Sequence, residues 1–195
     1  APFTKIIKNL LEAENSQTNI IMNVNAGFIP LDSWVQDPKI GGGRIIGEAC
    51  HFVDLCIFLT GSMISEVAMN SMGSSNVETT DNASILLNHK NGSNSVINYF
   101  SNGSKKFSKE RIEIYINGKN IILDNWREMK FYGFEGVSNK KSKQDKGHYN
   151  QFQELINNID DPKNQIIPFD QILNSSRATF AALESLKNKT WIPVS

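Results

Sequence analysis

The side chains best suited to chemistry gather between Trp34 and Thr60, in the stretch WVQDPKIGGGRIIGEACHFVDLCIFLT. Glu48, His51 and Asp54 follow one another at intervals of three on what reads as a helix. Glu48 then neighbours His51, and His51 neighbours Asp54, although the outer pair is skewed around the cylinder. A carboxylate beside an imidazole fixes its tautomer and raises its basicity, which prepares a histidine to exchange a proton near neutral pH. The same trio offers three metal ligands, but in poor angular register and with no second cluster nearby, so no metal is expected. The remaining alternative is a histidine bonded only to polar groups of the core.

The glycines just before this helix need their own explanation. Three in a row cost folding entropy and mark a place where the backbone turns sharply or approaches something closely. Gly41, Gly43 and Gly47 also spell a GxGxxxG, yet they follow an irregular loop instead of a strand, and no βαβ unit surrounds them. They are therefore not read as a dinucleotide-binding fingerprint. Of the other two histidines, His89 ends a strand beside Lys90 and reads as exposed, while His148 opens a helix beside Tyr149.

The elements that must position these groups follow from periodicity. Phe3, Ile6, Ile7, Leu10 and Leu11 predict a helix over about 3–13, and an apolar strand follows over 19–25. Residues 27–43 are rich in Gly, Pro and Asp and read as a loop; 44–59 read as a mostly buried helix that Gly61 caps. Six short β-type runs then span 64–72, 82–89, 95–101, 111–116, 120–123 and 128–132, with Asn91-Gly92 and Asn117-Gly118 as hairpin signals. A polar stretch with a lysine cluster at Lys140, Lys141 and Lys143 reads as a solvated loop. Helices over about 148–158 and 169–187 and a short terminal run over 192–194 close the chain. The pattern predicts one α+β domain over 1–195, with an open, largely antiparallel sheet and helices on one face.

Composition narrows the function. Lys plus Arg and Asp plus Glu both number 20, so the formal net charge is zero and no basic face for nucleic acid is expected. No apolar run is long enough to cross a bilayer and no signal peptide is evident, so no membrane partner and a cytoplasmic location are expected. Cys50 and Cys56 lie six apart in one helix, where their Cβ atoms diverge, and both are expected to be reduced. The chain begins at Ala1 directly in a helical pattern and reads as a fragment of something longer.

The run GGGRIIGEACHFVDLCIFLTG, with the preceding NAGFIPLDSWVQDP and the closing NKTWIPVS, resembles the glucose-fructose oxidoreductase, inositol dehydrogenase and rhizopine-catabolism oxidoreductase family. In that family a Gly-rich turn opens a helix carrying a His followed three residues later by Asp. The resemblance implies the C-terminal α+β domain of a two-domain dehydrogenase, with the N-terminal Rossmann domain absent. It implies NAD or NADP as cofactor, bound mainly by that missing domain, and a small sugar, polyol or nucleotide sugar as substrate. His51 would then take the substrate hydroxyl proton as hydride leaves the same carbon. Many relatives carry an Asp four residues before the His; this sequence has Gly47 there and Glu48 one position later, so Glu48 is the candidate replacement.

Around this centre the substrate-binding candidates each have two readings. Arg44 either grips an anionic substrate group through bidentate bonds or pairs with a local acid. Trp34 either stacks on a sugar face or anchors packing. Asp37 either bonds a sugar hydroxyl or caps a turn before Pro38, and Asn25, at a strand end, is in the same position. His148 sits near a substrate-loop position of the relatives. Strands such as 84–87 and 95–100 hold more apolar residues than one buried face requires, which predicts a homo-oligomer through the open sheet face. The alternative functions are a non-catalytic sugar-binding and oligomerisation module, and a family member that has lost catalysis. The isolated chain is expected to be inactive.

Overall fold

The computed structural model describes residues 1–73, 77–160 and 166–195. Helix α1, Pro2–Glu14, starts with a proline in its first turn, where the missing N–H costs nothing, and buries Phe3, Ile7 and Leu11 at helical spacing. Asn15 ends it in the left-handed region, its N–H returning to the Leu11 carbonyl. Strand β1, Asn19–Asn25, alternates buried and half-buried residues and becomes the centre of the sheet. After the long loop, α2 spans Cys50–Thr60 and is capped by Gly61 at φ +63.

The strands β2 (Ile64–Ser71), β3 (Asn82–His89), β4 (Asn94–Phe100), β5 (Glu110–Ile116), β6 (Lys119–Asp124) and β7 (Glu128–Tyr132) follow. Short pieces β8 (Lys140–Lys141) and β9 (Ile192–Pro193) extend the two edges. The order is β8-β7-β6-β5-β1-β4-β3-β2-β9, and among the described residues only β1 and β4 run parallel. Helices α3, His148–Asn158, and α4, Phe169–Asn188, complete the chain. The architecture is the expected open α+β sheet.

One face of the sheet forms the core. Ile20, Met22 and Val24 of β1, Ile97 and Tyr99 of β4, and Ile85 and Leu87 of β3 point inward beneath α1, α2 and α4. Small residues of α4, among them Ala178, Ala182 and Ser185, bring that helix close to β2 and α2. The Ser185 hydroxyl donates to the Thr190 carbonyl and accepts from the Met69 N–H, which ties the helix end to the edge strand. In contrast, α3 buries none of its residues, and Tyr149, Phe152, Ile156 and Ile159 form an exposed apolar stripe.

Four local expectations need correcting. The helix read over 44–59 is interrupted: Ile45–Ala49 is a π-helical turn in which the Cys50 N–H reaches back five residues to the Ile45 carbonyl. Lys140 and Lys141 pair with Met129 and Glu128 as a strand instead of lying in a free loop. Of the two hairpin signals, Asn117-Gly118 has both residues at positive φ, but at Asn91-Gly92 only the glycine does. The β3–β4 loop thus closes through the Gly92 N–H to the His89 carbonyl and the His89 N–H to the Ser93 carbonyl. Sequence reading also missed the β6–β7 turn, where Asn125 and Trp126 take positive φ and burial of the indole holds Trp126 in a conformation costly for a bulky residue.

The fourth correction is His89, which is buried at 3% exposure. It follows Ala83, Ile85 and Leu87 on the inward-facing register of β3, so alternation places it inside. Its Nδ1 lies 3.0 Å from the Ser62 carbonyl and its Nε2 3.0 Å from the Ser95 hydroxyl. The carbonyl requires a proton on Nδ1, which leaves Nε2 to accept from Ser95 in a neutral ring.

Burial pushes the His89 pKa below its ordinary value near 6.5, against a smaller upward pull from the bond to Ser62. The unfolded chain therefore binds this proton more readily. Stability from the neutral ring is complete above about 6.5 and is lost as pH falls below it. We expect the urea midpoint to drop between about pH 7 and pH 5, and His89→Gln to flatten that drop while costing about 1–3 kcal/mol at neutral pH. An unchanged slope in the variant would assign the acid sensitivity to other groups.

Candidate functional site

The candidate residues collect at one end of the sheet, where β1 and β4 finish, β5 begins and α2 starts. The first organiser is Asp37: its carbonyl accepts the N–H groups of Ile40, Gly41 and Gly42, and its carboxylate accepts the Lys39 N–H at 2.8 Å. This is the turn-capping role. The glycine triplet then closes on the loop itself, since a Cβ at Gly41 would sit 2.5 Å from the Trp34 carbonyl oxygen and 2.7 Å from Val35 Cα. Gly42 and Gly43 take φ +73 and +75. The triplet therefore exists for close internal packing, and it forms no phosphate cradle between a strand and a helix.

Arg44 follows at once and is buried, 1% exposed. Its guanidinium donates to the Gly27 carbonyl at 2.5 Å, the Ala26 carbonyl at 3.1 Å and Glu48 Oε2 at 2.7 Å, and lies over the Tyr99 ring. The fork is engaged with the loop after β1 and with the local acid Glu48, and the residue is buried where its local-acid reading places it on the surface. Only Nε is left buried without a partner.

Glu48 is the hub. Oε2 accepts from Arg44 and, at 2.5 Å, from the Tyr99 hydroxyl; Oε1 accepts from Lys109 Nζ at 2.7 Å. Burial pushes the Glu48 pKa up, but the bonds from Lys109, Tyr99 and Arg44 together outweigh it and hold the carboxyl down at about 2. Tyr99, driven upward by burial and by the Glu48 carboxylate, keeps its proton. A carboxylate so tightly held stays ionised through neutral pH, so Glu48 positions its neighbours and does not carry a proton.

His51, on the first turn of α2, is exposed, and its ring makes no hydrogen bond among the described residues. Asp54, one turn further on, is half-buried; burial pushes its pKa up, and the field of His51 pulls it down. Cys50, beside them, is pushed up by burial. His51 is thus the exposed imidazole at this end, with Glu48 three residues before it and Asp54 three after along the helix. The π turn puts one extra residue between the glycine triplet and α2, an irregularity common at functional sites.

Asn25 is also structural: its amide donates to the Ser104 and Phe107 carbonyls at 2.8 and 3.4 Å, pinning the β4–β5 loop. Trp34, 67% exposed, opens a short 3₁₀ turn on the rim. His148 is exposed at the start of α3, and Lys146, two residues earlier, bonds Glu110 at 2.7 Å where β5 begins, next to Lys109. Sequence reasoning missed Lys109 and Tyr99. The inward register of β4 gave a signal for Tyr99, but nothing local pointed Lys109 at a carboxylate 61 positions away.

Of two clefts, one of about 610 Å³ lies away from this end, and the other, of about 590 Å³, lies at the β2 edge against the end of α4. The first is lined by Lys8, Gln17, Gly61 and Asn91 at the far end of α2, about 15 Å along the helix from His51. Geometry and charge identify the site better than depth, because the wall around His51 is open. Among the described residues no group of three or more His, Cys, Asp or Glu side chains is arranged to hold a metal ion, and no helix is long and apolar enough to cross a membrane.

Comparison with known proteins places this geometry. The profile described as "Oxidoreductase family, C-terminal alpha/beta domain" matches residues 7–194. No curated protein matches by sequence. Among solved structures, an NAD binding oxidoreductase from Klebsiella pneumoniae is similar with TM-score 0.80 and 16% identity, over 100% of this chain and 64% of that one. An oxidoreductase from Agrobacterium radiobacter, solved with NAD+, L-tartaric acid and magnesium, gives 0.77 and 19% over 98% of this chain and 61% of that one. Levoglucosan dehydrogenase in complex with NADH gives 0.77 and 14% over 97% and 62%. These identities establish the fold alone, and the chain spans less than two thirds of each structure.

Removing the Glu48 charge should loosen the whole end of the sheet. We expect Glu48→Gln to cost about 2 kcal/mol in urea denaturation at neutral pH, since a buried guanidinium loses its counter-charge. The Glu48 pKa is depressed on folding, so its contribution is complete above the ordinary value of 4.5 and is lost as pH falls toward about 2. A variant as stable as the parent across that range would show that Arg44 is satisfied by its two carbonyls alone.

Proposed function

We propose, from the premise that this chain belongs to the glucose-fructose oxidoreductase, inositol dehydrogenase and rhizopine-catabolism oxidoreductase family, that it is the substrate-side domain of an enzyme oxidising a hydroxyl of a sugar, polyol or nucleotide sugar. The observation that carries the reading is His51: an exposed imidazole with no hydrogen bond among the described residues, beside the bonded cluster of Arg44, Glu48, Tyr99 and Lys109. In this reading His51 takes the proton from the substrate hydroxyl, and the neighbouring Asp54 carboxylate stabilises the imidazolium that results. Glu48 acts as a positioning residue, fixing Arg44, Tyr99 and Lys109 around the start of α2. Trp34 and His148 contact the substrate from the rim, while Arg44, Asn25 and Asp37 serve it by holding the loops in place.

NAD or NADP would supply the hydride acceptor. Among the described residues the glycine triplet is not free to cradle a dinucleotide's phosphates, because Gly41 packs on Trp34 and Val35, which supports a reading in which another domain holds most of the cofactor. The exposed apolar rim of Phe28, Leu31, Trp34 and Ile40 supports a site completed by another domain.

The deciding experiment is absorbance at the reduced-nicotinamide band with NAD or NADP and a panel of sugars, polyols and nucleotide sugars. These 195 residues alone should give no turnover. The polypeptide that also carries the nicotinamide-binding domain should turn over, and His51→Asn should lower kcat by about 10²–10⁴-fold while sugar binding persists. Unchanged turnover in that variant would remove His51 from the mechanism.

The second reading, a binding and oligomerisation module, is favoured by the uncovered sheet face. Ala68, Leu86, Val96 and Ile21 stand in one register row across β2, β3, β4 and β1, facing away from the core. Leu86 is 39% exposed and the others are partly so. We propose that two copies pair through this row, a pairing compatible with catalysis in the intact enzyme. Val96→Glu should convert the dimer to monomer in sedimentation equilibrium; a dimer of unchanged affinity would place the interface elsewhere.

A further inference from the structure

The loop joining β4 to β5 brings a cluster of positive charge to the site, of which only Lys109 has an acidic partner among the described residues. Residues 102–109, NGSKKFSK, hold three lysines and no acid, in a chain whose charges as a whole sum to zero. The loop is held in a defined shape. The Asn25 amide donates to two of its carbonyls, the Asn25 N–H donates to the Lys109 carbonyl at 2.7 Å, and the Phe107 N–H closes on Ser104. Gly103 lies so close to the Asn25 side chain that a Cβ there would sit 2.1 Å from its Oδ1.

Within this frame Lys109 is aimed by a fixed partner. One of its three ammonium donors goes to Glu48 Oε1 at 2.7 Å, and the side chain remains 43% exposed, so further donors face solvent beside the start of α2. Arg44, Lys109 and Glu48 together carry a net single positive charge, and its exposed end is Lys109. Lys105 and Lys106 are exposed, and among the described residues neither has an acidic partner. Phe107, between them and Lys109, is 67% exposed.

We propose that this loop recognises an oxyanion carried by the substrate, a phosphate or carboxylate on the sugar, with Lys109 as the specificity-determining contact and Lys105 and Lys106 adding attraction at longer range. The proposal rests on the oxidoreductase reading for the word substrate, but its binding chemistry stands without it. An ammonium held by a carboxylate is a pre-positioned point charge that meets an incoming anion without paying again to order its side chain. Phe107 offers the ring of a sugar or base an apolar surface beside the anion.

The test is binding, so it is separate from turnover. Amide shifts of the ¹⁵N-labelled chain would be followed on titration with glucose, glucose 1-phosphate, glucuronate and pyrophosphate, at low and at raised salt. The expected result is that the anionic probes move the 103–109 amides with at least about tenfold tighter apparent affinity than glucose, and that salt weakens them. Glucose 1-phosphate against glucuronate identifies which anion is preferred. Lys109→Met should abolish the preference and Lys109→Arg restore it. Lys105→Gln with Lys106→Gln, which leaves Glu48 untouched, should weaken it partly. Equal shifts with glucose, no shift in this loop with any anion, or a preference surviving Lys109→Met would each overturn the proposal. His51→Asn should leave the anion titration unchanged, so loss of turnover with intact binding, or the reverse, shows which of the two readings has failed.

Discussion

The bond between buried Arg44 and Glu48 is the constraint on which the candidate site depends. A guanidinium at 1% exposure loses nearly all of its hydration, which is tolerable only if its donors are matched. The chain matches them with two carbonyls that end β1, a carboxylate one turn along the same helix, and the face of a tyrosine. Each partner comes from a different place in the sequence. The pair therefore fixes the end of β1, the start of α2 and the end of β4 relative to one another, and Lys109 adds the start of β5 through the second carboxylate oxygen. What stays free within that frame is the His51 ring.

The two ends of α2 then divide the labour. At its C-terminal end the polar groups are neutral and internally bonded: His89 between Ser62 and Ser95, Thr60 on the Cys56 carbonyl, and Cys56, whose thiol burial pushes up to about 12. Such a thiol is inert as a nucleophile. At the N-terminal end Arg44, Glu48 and Lys109 form a charged network, and Lys109 and His51 face solvent. A helix of eleven residues between them keeps the acid-sensitive packing of the core away from the proton traffic expected at His51. The two histidines thus differ in setting: His89 is buried among core polar groups, and His51 is exposed at the opposite end of the helix.

Much of the fold was readable because its signals are local. Alternation located β3 and β7 to the residue, apolar spacing located α3, and Gly61 stopped α2 as a cap should. The His51 and Asp54 pair was readable for the same reason, since three residues on a helix are neighbours whatever surrounds them. Legibility failed where the deciding partner was distant. For Arg44 the sequence left a ligand contact and a surface pairing with a local acid both open, and neither foresaw its burial, which depends on carbonyls 17 and 18 positions earlier. The π turn was invisible because one additional residue in a helix leaves the apolar pattern almost intact. For His89 the information was present in the strand alternation, and a polar side chain beside Lys90 concealed it. Two lysines become β8 only because β7 presents an edge to them.

Gly47 shows how the same frame shapes what His51 can meet. Its φ lies outside the left-handed region, and a Cβ built there would have only the Gly41 carbonyl oxygen within contact, at 3.4 Å. The backbone would thus accept a side chain, so sterics do not explain the glycine. Its effect is to leave the wall beside His51 without bulk and without charge. The nearest carboxylate, Glu48, is turned inward and bonded to three donors, so its field toward the opening is largely cancelled. With Glu48 bonded inward, Asp54 beside His51 and Lys109 on the rim are the charges left near the opening, and the proposed anion recognition falls to Lys109. An aspartate at Gly47 would oppose that recognition at little conformational cost. The charge at this opening is therefore set by side-chain choice at 47 and 48, independently of the backbone that holds His51 in place.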